Sequence, residues 1–252
     1  MKTFYFTATG NSLYAAQRIG GELNSIPQML KERRSEFSDD VIGFVFPCYA
    51  FGLPNIVANF IQHTTLRADY FFAVMTYGNM AAAGLKHLEK IAHQAGIKVD
   101  YSNELLMIDN YLPMFKMEEQ RNSEAVKNID ERLDIIVSDI QQRQQKHIRK
   151  GVPSVILSPL IHYLFSKSLA TSDKHFLVNT QCNGCKVCEK VCPRKNITVT
   201  ETPAFSHHCE GCLACIHNCP QRAIHLKSER SDARFINQNV TLTDIIAANN
   251  QR

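Results

Sequence analysis

The chain predicts an α/β protein in two parts, a doubly wound parallel sheet followed by a small, cysteine-rich α+β unit. Three features carry that prediction. Short apolar β-rich runs alternate with helical periodicity through the N-terminal region. A hydroxyl-rich turn with a glycine lies between the first run and the first helical segment. Eight of the nine cysteines fall into two copies of one spacing near the C-terminus.

Lys2-Thr3-Phe4-Tyr5-Phe6 is the first strand, and after the turn Leu13, Ala16, Ile19 and Leu23 share one helical face. Ile26-Pro27-Gln28-Met29-Leu30 is the candidate second strand, where Pro27 suits an edge or a short element. Val41-Ile42-Gly43-Phe44-Val45-Phe46 is continuously apolar, as a central parallel strand buried on both faces requires, and Pro47 stops it. Tyr70 to Thr76 is another such run. Leu85, Leu88, Ile91, Ala92 and Ala95 follow in helical register, Gly96 provides a C-cap, and Ile97 to Leu106 forms the last strand. Ile129, Leu133, Ile136, Val137 and Ile140 then mark a long amphipathic helix that covers the sheet.

The turn itself, Thr7-Ala8-Thr9-Gly10-Asn11-Ser12, opens a helix, where unpaired N–H groups and the positive dipole end cradle a phosphate. It contains no Lys or Arg. That argues against an ATP-type loop and suits a single phosphate monoester. Ordinary capping is the plain alternative, since Ser and Thr begin many helices. The position after the first strand favours the phosphate, because cofactors of doubly wound sheets sit beyond the carboxyl ends of the strands.

The cysteines read Cys182-x2-Cys185-x2-Cys188-x3-Cys192-Pro193 and, 27 residues later, Cys209-x2-Cys212-x2-Cys215-x3-Cys219-Pro220. This is the ligand pattern of two [4Fe–4S] clusters, in which the fourth cysteine of each run reaches the other cluster. Cys182, Cys185, Cys188 and Cys219 are assigned to one cluster; Cys209, Cys212, Cys215 and Cys192 to the other. A zinc site would leave the third and fourth cysteines of each run without a role, and a disulfide framework belongs to short secreted chains. The repeat runs on, with Asn196-Ile197 matched by Ala223-Ile224. A unit this small has little apolar core, so the clusters are expected to hold it together.

The formal charge of +4 counts the ligand cysteines as neutral, and two oxidised clusters would cancel it. No basic-aromatic patch supports nucleic-acid binding. No apolar run is long enough to span a membrane; Val155 to Phe165 is cut by Pro159 and His162. With no export signal and with thiolate clusters, a cytoplasmic location is expected.

The turn resembles the FMN phosphate loop of flavodoxins, which implies a flavodoxin-like sheet in strand order 2-1-3-4-5. The cysteine unit resembles the bacterial two-cluster ferredoxin domain, with two strands and short helices per half. Phe46-Pro47-Cys48-Tyr49-Ala50-Phe51-Gly52-Leu53-Pro54, together with Arg234-Phe235-x-Asn237 and Val240-Thr241-Leu242-x-Asp244-Ile245, extends the resemblance over nearly the whole chain to the EFR1-type ferredoxins. Those proteins fuse a flavodoxin-like domain to a two-[4Fe–4S] ferredoxin. The implied organisation is residues 1–150 for the FMN-binding domain, 151–173 for a helical connector, 174–227 for the ferredoxin domain and 228–252 for a tail whose Ile245-Ile246 docks back. Ala8 departs from the family, which usually has Gly there, and Cys48 stands where a small apolar residue is more usual and is read as a small buried hydrophobe.

The resemblance places the flavin ring between Pro47 to Gly52 and Thr76 to Asn79. Tyr49, Phe51 and Tyr77 are the candidate flanking aromatics, with ordinary packing as the alternative for each; Gly52 and Gly78 allow close backbone approach. Cofactor binding thus falls to Thr7, Thr9, Gly10, Asn11, Ser12, Pro47, Tyr49, Phe51, Gly52, Thr76, Tyr77 and Gly78. His207, His208, His217 and His225 read as solvated loop residues. Met75, Met80, Met107, Met114 and Met117 read as core gap-fillers. The expected function is electron relay between two [4Fe–4S] clusters and FMN, serving a redox partner protein or a small-molecule acceptor. The alternatives are a flavin-dependent reductase of a small organic acceptor and a flavin-free docking domain that carries a ferredoxin module.

Overall fold

The structure, a computed structural model, describes residues 1–148, 161–166 and 168–252. Five parallel strands form the main sheet: β1 (Lys2–Tyr5), β2 (Glu22–Ser25), β4 (Val41–Pro47), β6 (Tyr70–Tyr77) and β7 (Tyr101–Leu106), in the order β2-β1-β4-β6-β7. Counted among themselves, these strands run 2-1-3-4-5, the flavodoxin-type order. Two three-residue strands, β3 (Glu36–Ser38) and β5 (Thr65–Arg67), pair with each other outside this sheet.

The central strands are the ones with continuous apolar runs. Ile42 and Phe44 to Phe46 on β4, and Phe72 to Met75 on β6, are fully buried. Gly43 interrupts the apolar run because Phe72 lies across it: a Cβ there would meet the ring at 1.9 Å. Helices α1 (Asn11–Ile19), α2 (Ile26–Lys31), α3 (Asn55–Gln62), α4 (Gly84–Gln94), α5 (Met117–Asn122) and α6 (Ile129–Gln141) accompany the sheet. The amphipathic helix α6 packs on α1 and β7 through Leu133, Ile136 and Ile140. Helix α4 ends as its Gly96 predicts. Gly96 is left-handed, its N–H donates to His93 O, and the Ile97 N–H returns to Ala92 O.

Three boundaries differ from the sequence reading. The segment Ile26–Leu30 is helical, not the second strand: Pro27 occupies the first turn of α2, where its missing N–H has no cost. The second strand is instead Glu22–Ser25, an edge strand with Glu22 and Leu23 exposed, so no apolar run marks it. Leu23 accordingly leaves the helix, which Gly20 ends after Ile19. The last strand begins at Tyr101; Ile97 and Val99 are buried ahead of it without being part of it.

The cysteine-rich unit contains two antiparallel pairs, β8 (Phe176–Val178) with β11 (Ile224–Leu226) and β9 (Ile197–Val199) with β10 (Pro203–Phe205). One-turn helices α7 (Val187–Lys190) and α8 (Ala214–His217) follow the cysteine loops. The sequence repeat is written into the backbone. Left-handed residues recur in pairs at Gly184 and Gly211, Lys186 and Leu213, and Lys195 and Arg222. The chain finishes in α9 (Leu242–Asn249), which opens with a Thr241/Asp244 capping box and packs on α2 with Ile245 fully buried. The apolar stretch 155–160, and with it much of the expected connector, lies outside the described residues. No helix among the described residues is long and apolar enough to cross a membrane.

Candidate functional site

Loops at the carboxyl ends of β1, β4, β6 and β7 surround a cavity of about 450 Å3, within the usual range for a cofactor site. Ten of the twelve predicted cofactor-binding residues line it: Thr7, Thr9, Asn11, Ser12, Pro47, Tyr49, Phe51, Thr76, Tyr77 and Gly78. The two others act from behind. Gly10, at φ 100° ahead of α1, faces away, and a Cβ there would meet Asn237 Cβ at 2.9 Å. Gly52 gives close approach to His162, whose Nδ1 would lie 2.3 Å from an added Cβ.

The Thr7–Ser12 loop is held in place by a dense hydrogen-bond set. Gly10 N–H donates to Thr7 Oγ1 at 3.1 Å, and the Ser12 and Thr76 hydroxyls bond each other at 2.8 Å. Asn110 Nδ2 donates to Thr9 Oγ1 at 2.5 Å, which leaves the Thr9 hydroxyl hydrogen for another acceptor. Among the described residues, no Lys, Arg or His lines the cavity. An anion there would depend on backbone N–H groups, hydroxyls and the α1 dipole.

The opposite wall is the finding that the sequence reading missed. Gly211, Cys212 and Leu213 of the second cysteine run face the same cavity as the loop. Ile108 to Tyr111, after β7, form a further wall, and their place at the carboxyl end of the last strand is the signal that could have found them. Asp109 packs on Gly78, and burial raises its carboxyl. Lys127, from a 3-10 turn at Ala125–Lys127, reaches Gly78 O at 3.4 Å, and burial lowers its amine. Burial raises the Tyr49 phenol well above its usual value, while the residue as a whole is half-buried.

The corrections among the other candidates are physical. Met75, Met107 and Met117 are core residues, but Met80 and Met114 are exposed and line the cavity. Cys48 is half-buried and lines the cavity too, with Sγ 3.7 Å from Ala81 O. His207 and His208 are exposed. His217 is buried, not solvated: its Nε2 bonds Asn110 O at 2.8 Å, its Nδ1 accepts from Phe235 N–H at 3.1 Å, and burial pushes it down to about 4. His225 is half-buried against Glu229 and Arg234. His225, Glu229 and Asp232 converge as metal sites do, but the Arg234 guanidinium already bonds the first two.

No disulfide joins any of the nine cysteines. Cys188 senses the charges of Cys219, Cys185 and Cys182, whereas Cys209, Cys212 and Cys215 each sense Cys192. Cys219 is thus near Cys188 of the first run, and Cys192 is near Cys209, Cys212 and Cys215 of the second. Burial raises these thiols, Cys188 to about 12 and Cys209 to about 11. N–H groups of Asn196, Gly211 and Ala223 point at Cys192, Cys209 and Cys219 at 3.3–3.4 Å.

A lone tetrahedral zinc with Zn–S of about 2.3 Å would draw its sulfurs to roughly 3.8 Å from one another. Among the described residues no three cysteine sulfurs lie within 4.8 Å of each other. Glu210, between Cys209 and Cys212, accepts the Ile56 N–H at 3.0 Å at the start of α3, anchoring the second run to the sheet unit. Burial raises its carboxyl to about 7.

No family model matches the chain, and no curated protein matches it. Among solved structures, it is similar to the Trp repressor binding protein from Bacillus subtilis, at 14% identity over 42% of this chain and 83% of that chain, with a TM-score of 0.32.

Proposed function

We propose that this protein is an electron-transfer iron–sulfur flavoprotein that relays electrons between two [4Fe–4S] clusters and FMN. One observation carries the reading: the cavity floored by the Thr7–Ser12 loop is walled by Cys212 and its neighbours in the second cysteine run. Clusters exchange single electrons while flavin handles one or two, so joining them connects one-electron carriers to two-electron chemistry.

In this reading Cys182, Cys185, Cys188 and Cys219 hold one cluster, and Cys209, Cys212, Cys215 and Cys192 the other. The N–H groups of Asn196, Gly211 and Ala223 donate to the sulfurs, an outer layer that tunes potentials. The loop from Thr7 to Ser12 takes the phosphate monoester, and the lack of a cation among the described lining residues suits one phosphate rather than a chain of them. Pro47, Tyr49, Phe51, Thr76, Tyr77 and Gly78 line the space for the ring. The sheet unit is flavodoxin-like in strand order, and the cysteine unit is read as a two-cluster ferredoxin domain in a cytoplasmic protein.

The test is anaerobic reconstitution with iron, sulfide and FMN, followed by stepwise reduction with flavin absorbance and cluster EPR recorded on one sample. About eight irons per chain, bound FMN and exchange between the centres are expected. Intact clusters that never exchange electrons with bound FMN would end the relay reading. A flavin-dependent reductase is the second reading, favoured by Met80, Tyr111, Met114 and Phe165, which line the cavity while exposed to solvent. Saturable turnover of a small organic acceptor would select it.

A further inference from the structure

The phosphate loop is not held by its own hydrogen bonds alone. Its three successive carbonyls are pinned by three distant groups. Asn249 Nδ2 donates to Thr7 O at 2.9 Å, Asn218 Nδ2 to Ala8 O at 3.1 Å, and Asn237 N–H to Thr9 O at 2.8 Å. Asn249 and Asn237 come from the C-terminal segment. Asn218 comes from the second cysteine run, between Cys215 and Cys219. It is buried, and its Nδ2 also donates to Ala214 O at 2.8 Å, which fixes the amide orientation because both neighbours are acceptors. The remaining oxygens of Asn218 and Asn249 are buried without a partner. Each side chain is thus held by what its nitrogen donates, at the cost of an unsatisfied acceptor.

In a trans peptide the N–H points opposite to the C=O. Pinning Thr7 O and Ala8 O outward therefore turns the N–H groups of Ala8 and Thr9 the other way. Among the described residues no cationic side chain lines the cavity, so these dipoles, the loop hydroxyls and the start of α1 are what the described residues offer a phosphate. Their orientation sets the affinity.

We propose that Asn218 couples the two cofactor sites, so that iron loading of the cysteine quartets raises affinity for the phosphate of FMN. The inference rests on the FMN reading above. Asn218 adjoins Cys219, which stands with Cys182, Cys185 and Cys188, and it closes the turn that carries Cys215 of the other quartet. Forming both quartets would therefore fix the turn from which the Asn218 amide reaches Ala8 O. Without metal, buried thiols with a thin core do not hold that turn, and Ala8 O loses its donor. The coupling is reciprocal, so bound FMN also slows iron loss.

The experiment measures FMN and riboflavin affinity by flavin fluorescence on the full chain, iron-loaded and iron-stripped, for the wild type and Asn218→Leu. Leu keeps the volume and removes the donor. Riboflavin lacks the phosphate and reports the ring site alone. Iron-loaded wild type should favour FMN over riboflavin by about tenfold more than the stripped protein does, the scale of one lost charge-assisted hydrogen bond. Iron-loaded Asn218→Leu should lose that preference while its iron content and riboflavin affinity stay unchanged.

If Asn218→Leu fails to take up iron, the wild-type comparison alone decides. An equal FMN preference with and without iron overturns the proposal and leaves the FMN reading intact, as does an iron-loaded Asn218→Leu that binds FMN like the wild type. Iron-loaded wild type that binds neither flavin removes the FMN reading, and this proposal with it.

Discussion

The sheet unit and the cysteine unit solve the problem of stability in opposite ways. The sheet unit has strands of up to eight residues and a core of aromatic and aliphatic side chains, with Phe4, Phe44, Phe46, Phe60 and Phe72 all fully buried. Every strand of the cysteine unit is three residues long. Its buried cluster includes Cys188, Cys192 and Cys215, and borrows Ile108, Leu112 and Met117 from the segment after β7 and Phe235 from the tail. On the proposed reading, a core made partly of cluster ligands and borrowed side chains would not close without the clusters. The sheet unit should stand without iron, and the cysteine unit should not.

The sharpest way to break that contrast is Cys215→Ser. If Cys215 is a cluster ligand as proposed, serine would replace it poorly, and the change should cost the cysteine unit most of its stability, with iron content falling by about half or more. Hydrogen exchange should then show protection lost across β8 to β11 and retained in β4 and β6. Simultaneous loss in both regions would show that the two units fold as one. The complementary change is Phe72→Ala, which empties the space above Gly43 and should cost about 3–5 kcal/mol in urea denaturation of the metal-free chain. A metal-free chain as stable as the wild type would show that the sheet core is not what holds that unit.

A smaller effect is expected at the joint between the units. Gly10→Ala forces a left-handed alanine, costing about 1–2 kcal/mol, and sets a methyl against Asn237 and Val240. FMN titration should show weakened binding with iron content unchanged. Undiminished binding would mean that the loop has another way to adapt.

The same contrast explains what was legible in the sequence. Val41 to Pro47 and Tyr70 to Tyr77 are buried on both faces, so their character survives as an unbroken apolar run. The cysteine repeat was legible as a fixed spacing, and the left-handed residues paired at 27-residue intervals match it in the backbone. The edge strand Glu22–Ser25 carried no such mark, since an edge does not demand apolar residues, while Pro27 served equally well as a helix start. The asparagines that shape the loop were invisible for another reason. Asn218 and Asn249 lie 210 and 242 residues from the carbonyls they bond, and asparagine in a loop has no spacing that announces a distant partner. His217 was misread on the same account: only the fold brings Asn110 and Phe235 to it.

The smallest expected effect concerns a histidine pair beneath the Tyr49–Leu53 loop, on the sheet side of the comparison. Leu53 N–H donates to His87 Nδ1 at 3.3 Å, so that nitrogen carries no proton. His162 Nδ1 faces the carbonyls of Tyr49 and Ala50, each at 3.2 Å, and must be the protonated one. The two rings lie 4.6 Å apart, edge to face. Burial pushes His87 down to about 4 and also lowers His162. In the unfolded chain both titrate near about 6.5. Between those values the unfolded state binds more protons, so this contribution is fully present above about 6.5 and is lost as pH falls toward the folded values. A second proton on His87 also displaces the Leu53 bond and sets a cation beside His162. The urea midpoint should therefore fall as pH drops from about 6.5 to 4, and His87→Gln, which does not titrate, should flatten part of that slope. An identical slope in the variant would assign the acid sensitivity elsewhere, with the cysteine unit and its ligands the first place to look.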